Sequence, residues 1–239
     1  MLDRIRPLIQ VDLIFRDRRG RFTRRQRYKN TLSNYALAAV AQWLSGTSNV
    51  SGGGGVVGPN YVALGNGVGL SAPTDIAAFA EVNGARVLCS SRSQYLTYYA
   101  MLVGFFAATV PQIKYTEAIL TDGAVGAATV GTGGVLAAAT TLPLGASAPA
   151  VTGSATAGQR MTAYINDGAS SEYVQIATTA AASATSWTLA TGLTYAHAAA
   201  IPIVVFTGNI FTHVNLTNAD LSAGSETLTV QWKILVAGN

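Results

Sequence analysis

What this 239-residue chain has little of narrows its chemistry before any motif is sought. Cys89 is the only cysteine, so no internal disulfide can form and a cystine-stapled scaffold is excluded. The thiol reads as a small buried apolar group. Together with the two histidines, His197 and His213, one cysteine does not supply the three or four ligands a zinc site needs; no metal site, cofactor site or catalytic residue is assigned. Charged side chains make up only 11% of the chain, against about 25% in ordinary globular domains. Such a surface must be built of Ser, Thr, Asn, Gly and Ala or be covered by other subunits, which fits a part of an assembly. No apolar block follows a short basic start, so no signal peptide is expected and the chain is read as working without export. The apolar run Tyr95–Val110 has 16 residues, fewer than the roughly 20 of a spanning helix. Its Tyr, Thr, Val and Phe content, ended by Pro111, predicts a buried strand or a bent strand pair.

The cations that are present are unevenly placed. Residues 1–29 hold ten Lys or Arg and three Asp, a balance of +7, whereas residues 30–239 hold five basic and eight acidic residues, a balance of −3. This segment is read as a basic N-terminal arm: "RPLIQVDLIFRD" has strand-like content and "RRGRFTRRQRYK" is a charge run of the kind usually found solvated. Leu32, Tyr35, Ala36, Ala39, Val40 and Trp43 then recur at helical spacing and predict a helix over 31–45, capped by Asn30 or Thr31 and stopped by Gly46. "SGGGG" at 51–55 reads as a mobile linker.

Downstream the pattern is β-rich. Strands are predicted at Tyr61–Leu64, Arg86–Cys89 and Ile113–Leu120. In "ETLTVQWKILV" the residues Leu228, Val230, Trp232, Ile234 and Val236 alternate with Thr229, Gln231 and Lys233, as in a strand with one buried face. From 124 to 203 the composition shifts to Ala, Thr, Gly and Ser, with Arg160, Asp167, Glu172 and, if protonated, His197 the only charged residues. Short strands at 140–144, 160–165, 172–177 and 186–190 there predict a small β-barrel or sandwich inserted into a framework formed by 30–123 and 204–239. The expected class is mainly β: a sandwich-like framework with one or two short helices and an inserted β-domain.

The candidate chemistries are few. "YVALGNGVGLSAPTD", 61–75, has the outline of a nucleotide loop, with Gly65, Gly67 and Gly69 after a strand. It lacks both the G-x-G-x-x-G spacing and a following Lys-Ser/Thr pair, and Pro73, Thr74 and Asp75 read as a turn leading to a helix cap. A Ser-His-Asp hydrolase needs a nucleophile elbow, and no G-x-S-x-G occurs. Glu81, Glu117 and Asp122 are isolated carboxylates that folding would have to pair for glycoside hydrolysis. The remaining candidates are Arg16, Arg18, Arg19, Arg21, Arg24, Arg25, Arg27 and Lys29. They suit either phosphates of packaged DNA or acidic surfaces of a neighbouring protein. Docking on protein is favoured over nucleic acid, because Ile5, Leu8, Ile9, Val11, Leu13, Ile14 and Phe15 interleave the arm and would pack against a partner.

Several stretches resemble a group of tailed-bacteriophage virion proteins found in tail, baseplate, neck or fibre positions. The resemblance rests on a helix before "YVALGNGVGLSAPTD", a segment "IAAFAEVNGAR" (76–86) that is a short helix in that group, an aromatic strand, "TEAILTDGA" (116–124) and a closing strand "SETLTVQWKIL" (225–235). The insert resembles a small β-module of phage structural proteins through "AGQRMTAYINDGASSEYVQIAT" and "TLATGLTYAHAAA". The resemblance implies a non-enzymatic virion component, made in the host cytoplasm, that forms a homo-oligomer and anchors to other virion proteins through its N-terminal arm. A trimer is the first expectation. The insert would project for adhesion to a host surface or for reinforcement. A capsid decoration or head-fibre protein and a DNA-binding protein are the alternatives.

Overall fold

The computed structural model describes residues 8–30, 32–34, 36–38, 58–72, 74–95, 99–145, 147–156 and 159–235. The strands are β1 (Leu8–Arg16), β2 (Phe22–Asn30), β3 (Tyr61–Gly65), β4 (Glu81–Tyr95), β5 (Tyr99–Phe106), β6 (Lys114–Thr121), β7 (Val125–Thr129), β8 (Thr141–Pro143), β9 (Thr162–Ile165), β10 (Glu172–Gln175), β11 (Ser186–Thr188), β12 (Pro202–Phe206), β13 (Ile210–Asp220) and β14 (Thr227–Leu235). The chain is mainly β, as its composition predicts. Among the described residues no helix is long and apolar enough to cross a membrane.

Eight strands form one antiparallel sheet in the order β13-β6-β3-β4-β5-β14-β1-β2. The sheet curls until its two edge strands meet and the framework becomes a nearly closed barrel. Side chains join the edges: Thr217 donates its N–H to the Tyr28 hydroxyl (3.2 Å), and Arg24 on β2 donates to the carbonyl of Asp220 on β13. Ile9, Val11, Leu13 and Phe15 of β1 point inward with Leu228, Val230 and Trp232 of β14, all fully buried; Val11 lies opposite Trp232.

This corrects the reading of the N-terminal segment. Residues 8–30 are not an arm outside the framework but two of its eight strands. Full burial of an Ile, Leu, Val or Phe side chain is favourable by roughly 1.5–3 kcal/mol, and β1 contributes four, so its apolar residues are spent on this chain's own core. The charge run became β2 because its strand has an edge position whose outer face can hold cations in water.

Three further expectations change. The helical turn is described only at 34 and 36–38, and residues 31, 35 and 39–45, with Gly46 and the "SGGGG" stretch, lie outside the described residues. Its cap is Ser33, whose hydroxyl accepts the Ala36 N–H (3.1 Å) and donates to the Ile210 carbonyl, while Asn30 still belongs to β2. Residues 76–86 are not a helix: 76–80 run irregularly and β4 starts at Glu81, because the Phe79 and Ala80 N–H groups bond a carboxylate on β6 and so are unavailable to helical carbonyls. Tyr95–Val110 is divided between the end of β4, β5 and a following turn, with 96–98 outside the described residues.

The segment between β6 and β13 has its own sheet, β10-β9-β12-β7, and a two-stranded ribbon, β11-β8. Leu142, Ile165, Ile176, Trp187 and Val205 belong to a hydrophobic cluster separate from the barrel core. The framework does not resume at Val204: β12 runs through Phe206 and pairs with β7 and β9, which leaves β13 as the returning barrel strand.

Candidate functional site

The glycine-rich stretch folds back over the outside of the barrel. Gly65 ends β3, and residues 66–72 and 74–80 cover the outward faces of β6 and β13, where Ala63, Ala78, Ile119 and Ile210 form a small third cluster. Beneath this cover lies Glu117, fully buried. Its carboxylate accepts N–H groups from Gly67 (3.1 Å), Phe79 (2.9 Å) and Ala80 (2.7 Å) and bonds His213 Nε2 (2.8 Å). His213 Nδ1 in turn lies 2.7 Å from Asp75 Oδ2, which also accepts the Ala72 N–H (2.8 Å). The loop is therefore an anion cradle after all, but its anion is a side chain of the same protein. Asp75 closes a turn here and caps no helix; Pro73 lies outside the described residues.

Both ring nitrogens of His213 face carboxylate oxygens, an arrangement satisfied when both carry protons. Burial works against the charged ring, but its bonds to Asp75 and Glu117 outweigh it and hold the His213 pKa above the ordinary histidine range. For Glu117 burial likewise opposes ionisation, and the bonds from His213, Ala80 and Phe79 overcome it, lowering its pKa. The glycines are dictated by closeness. A Cβ on Gly67 would stand 2.5 Å from Phe79 Cβ and 2.7 Å from Glu117 Oε1, one on Gly69 2.7 Å from the Phe79 ring, and one on Gly65 would strike Glu117 Oε1. On the far side of this anchored loop Val68 is 95% exposed and Leu70 89%. Asn215 ties the segment between and after them, accepting the Ser71 N–H (2.7 Å) and donating to the Gly69 carbonyl (2.6 Å).

A second buried charge pair stands where the barrel meets the insert. Arg86 and Glu81 on β4 form a two-pronged ion pair (2.7 and 2.6 Å). The remaining Arg86 terminal nitrogen donates to the Gly123 and Thr207 carbonyls, each at 2.6 Å. Those residues lie on the two segments that leave and re-enter the barrel. Tyr173 and Gln175 of β10 reach the same side, accepting the Asn83 N–H (2.8 Å) and donating to the Phe79 carbonyl (3.1 Å).

The predicted basic residues share one region without converging on one point. Arg16 bonds the Gly20 carbonyl, Arg18 that of Gly224, and Arg21 pairs with Asp17 (2.8 Å). Arg24 points the other way, over the Phe15 ring (3.8 Å) and onto Glu226 (3.0 Å). Arg25 and Arg27 face outward and meet the buried Asp12 at 2.6 and 2.9 Å, joined by Lys233 at 3.3 Å. Burial opposes the Asp12 charge, but Arg25, Arg27, Gln10 and Lys233 outweigh it and lower its pKa to about 2. Arg19 and Lys29 are exposed on the same face.

Of the other residues singled out from sequence, Glu81 and Glu117 come near each other, in register with Gly65 on the strands at either side of it, and the rest are dispersed. Glu81 and Glu117 are buried in the two networks above, while Asp122 holds Asn209 through its N–H (2.7 Å). His197, in the insert, lies between Asp167 and Glu172, each at 2.9 Å, and its backbone pairs with Val135. Among the described residues no group of three or more His, Cys, Asp or Glu is arranged to hold a metal ion. Sequence reasoning missed the joining of Asp75, His213 and Glu117, whose signal was a lone Glu inside the apolar strand "KYTEAILT": a buried carboxylate requires partners. Comparison with protein-family models, with curated proteins and with solved structures finds no match.

Proposed function

We propose that this protein is a structural component of a phage virion, in the tail, baseplate or neck, that works by assembling into a homo-oligomer and joining other virion components. The observation that carries the reading is the anchored glycine loop. Buried charge, three close-packed glycines and Asn215 are all committed to holding Val68 and Leu70 fixed and outward. A loop backbone anchored in advance loses little conformational freedom on contact, which suits a subunit interface. The low charge of the chain and its resemblance to virion proteins support the same reading, and the insert would then project from the assembly for adhesion or reinforcement.

Molar mass of the purified protein, measured by light scattering at micromolar concentration and compared with the copy number in particles, tests the proposal. A closed oligomer is expected, a trimer first, and Val68→Ser with Leu70→Ser should shift it toward monomer. A monomer both in solution and in the particle would overturn it.

A further inference from the structure

We infer that the outer face of β1, β2 and β14, with the β1–β2 hairpin, binds the phosphodiester backbone of nucleic acid. Docking on protein was favoured because apolar residues interleave the cations, yet Ile9, Val11, Leu13 and Phe15 are sealed inside the barrel. What the segment shows to solvent is its other face. Along β2 the outward residues are Thr23, Arg25, Arg27 and Lys29, and across the sheet from them stand Gln10, Asp12, Gln231 and Lys233. Arg16, Arg18, Arg19 and Arg21 extend the field around the hairpin, where Asp17 is the one acid.

The outward positions carry Gln10, Arg16, Arg25, Arg27, Lys29, Gln231 and Lys233 beside Asp12, Thr23, Thr227 and Thr229, and the apolar members are the half-buried Ile14 and, opposite Arg16 at the hairpin end, the 60% exposed Phe22. Protein interfaces have an apolar centre that is depleted in charge, especially lysine. Nucleic-acid interfaces are polar and strongly positive. The guanidiniums also keep capacity to bind: Arg25 gives Asp12 only Nη2 and Arg27 only Nε, so other N–H donors of each remain for phosphate oxygens. Asp12 draws the two arginines and Lys233 into one row without neutralising them, because one negative charge meets three positive ones. A second copy offers no matching acidic face: of the ten carboxylates among the described residues, Asp12, Asp75, Glu81, Glu117 and Glu226 are buried, and the other five are spread over the hairpin (Asp17), the junction (Asp122), the insert (Asp167, Glu172) and the end of β13 (Asp220). Alternating outward positions on a strand repeat every ~7 Å, a regular row that fits a backbone and reads no bases. The predicted binding is therefore independent of sequence.

The test uses the full chain and fluorescence anisotropy with a labelled 30-base-pair duplex, a single strand of the same length and a polyglutamate peptide, across a salt series. A variant carrying Arg18→Gln, Arg19→Gln and Lys29→Gln removes three surface cations that hold none of the core, and its thermal transition serves as the folding control. Expected is binding to DNA whose logarithm falls linearly with the logarithm of salt. Each lost phosphate contact should lower the slope by about 0.9, so the triple variant should lose roughly two to three units of slope. Tighter binding of the single strand than of the duplex would assign the backbone of unpaired nucleic acid, and the reverse would assign the duplex. Absence of salt-dependent DNA binding, an unchanged slope in the folded triple variant, or polyglutamate binding as tight as DNA would each overturn the inference.

Discussion

Gly67 shows how little freedom the cover over the barrel has at single positions. An added methyl group would meet Phe79 Cβ at 2.5 Å and the Ala80 nitrogen at 2.6 Å, distances that require backbone to move. Gly67→Ala should cost about 2–3 kcal/mol in urea unfolding, whereas Gly58→Ala, with nothing within 4 Å, should stay within about 0.5 kcal/mol. The charge beneath the loop predicts a pH signature. His213 has a raised pKa, so its contribution is complete below the ordinary histidine value of about 6.5 and is lost as pH rises through the raised one. Glu117 has a lowered pKa, so its contribution is complete above about 4.3 and is lost as pH falls through the lowered one. The network is therefore strongest between these limits. In denaturant midpoints measured from pH 4 to 9, His213→Gln should lose about 3 kcal/mol near pH 6 and lose the alkaline decline that the histidine causes.

At the scale of elements, Arg86 decides how barrel and insert are joined. It is 6% exposed in its side chain and its partner Glu81 2%, and one terminal nitrogen holds both connecting segments. Arg86→Met leaves Glu81 buried without its ion pair, a loss of about 3–5 kcal/mol. The double change Glu81→Gln, Arg86→Met removes the stranded charge and should recover part of that. In both variants limited proteolysis should open first near 122–124 and 207–209; cleavage confined to other loops would show that the carbonyl contacts do not hold the junction. This junction was not legible in the sequence, because its groups lie 37 and 121 positions from Arg86. The closing strand β14 was legible, since one face packs in the core and the other meets water. Its neighbour β2 was not: "FTRRQRYKN" hides its inward positions as Arg24, Gln26 and Tyr28, residues that close a barrel edge by polar contacts in place of apolar ones. Strand β13 was missed for the complementary reason. Both its faces are covered, Val214 and Leu216 by the core and His213 by the glycine loop, and the alternation that marks a strand disappears.

For the whole molecule, the decisive geometry is where the insert is attached. Gly123 and Gly208 pack backbone to backbone so closely that a Cβ on Gly123 would strike Gly208 Cα, and Gly208 has φ +105°. Just inside them Thr121 lies opposite Ile210 in the β6–β13 ladder. The insert thus leaves and re-enters at a single point, at the end of what would otherwise be a hairpin. Its core and the barrel core are separate clusters, so the barrel does not depend on the insert for its apolar burial. Joining Gly123 directly to Gly208 would leave Asp122, Gly123, Gly208 and Asn209 as a short polar turn, a length and composition common in hairpins. Asp122 already bonds the Asn209 N–H across it. The shortened protein should therefore fold, with a cooperative thermal transition and the near-ultraviolet circular dichroism of a buried Trp232. It should lose what the insert supplies at the junction: the Thr207 acceptor of Arg86, the Phe206 ring beneath its guanidinium (6.0 Å) and the contacts of Tyr173 and Gln175. A shortened chain that stays unfolded, although expressed and kept soluble, would mean that the insert is part of the barrel's folding unit.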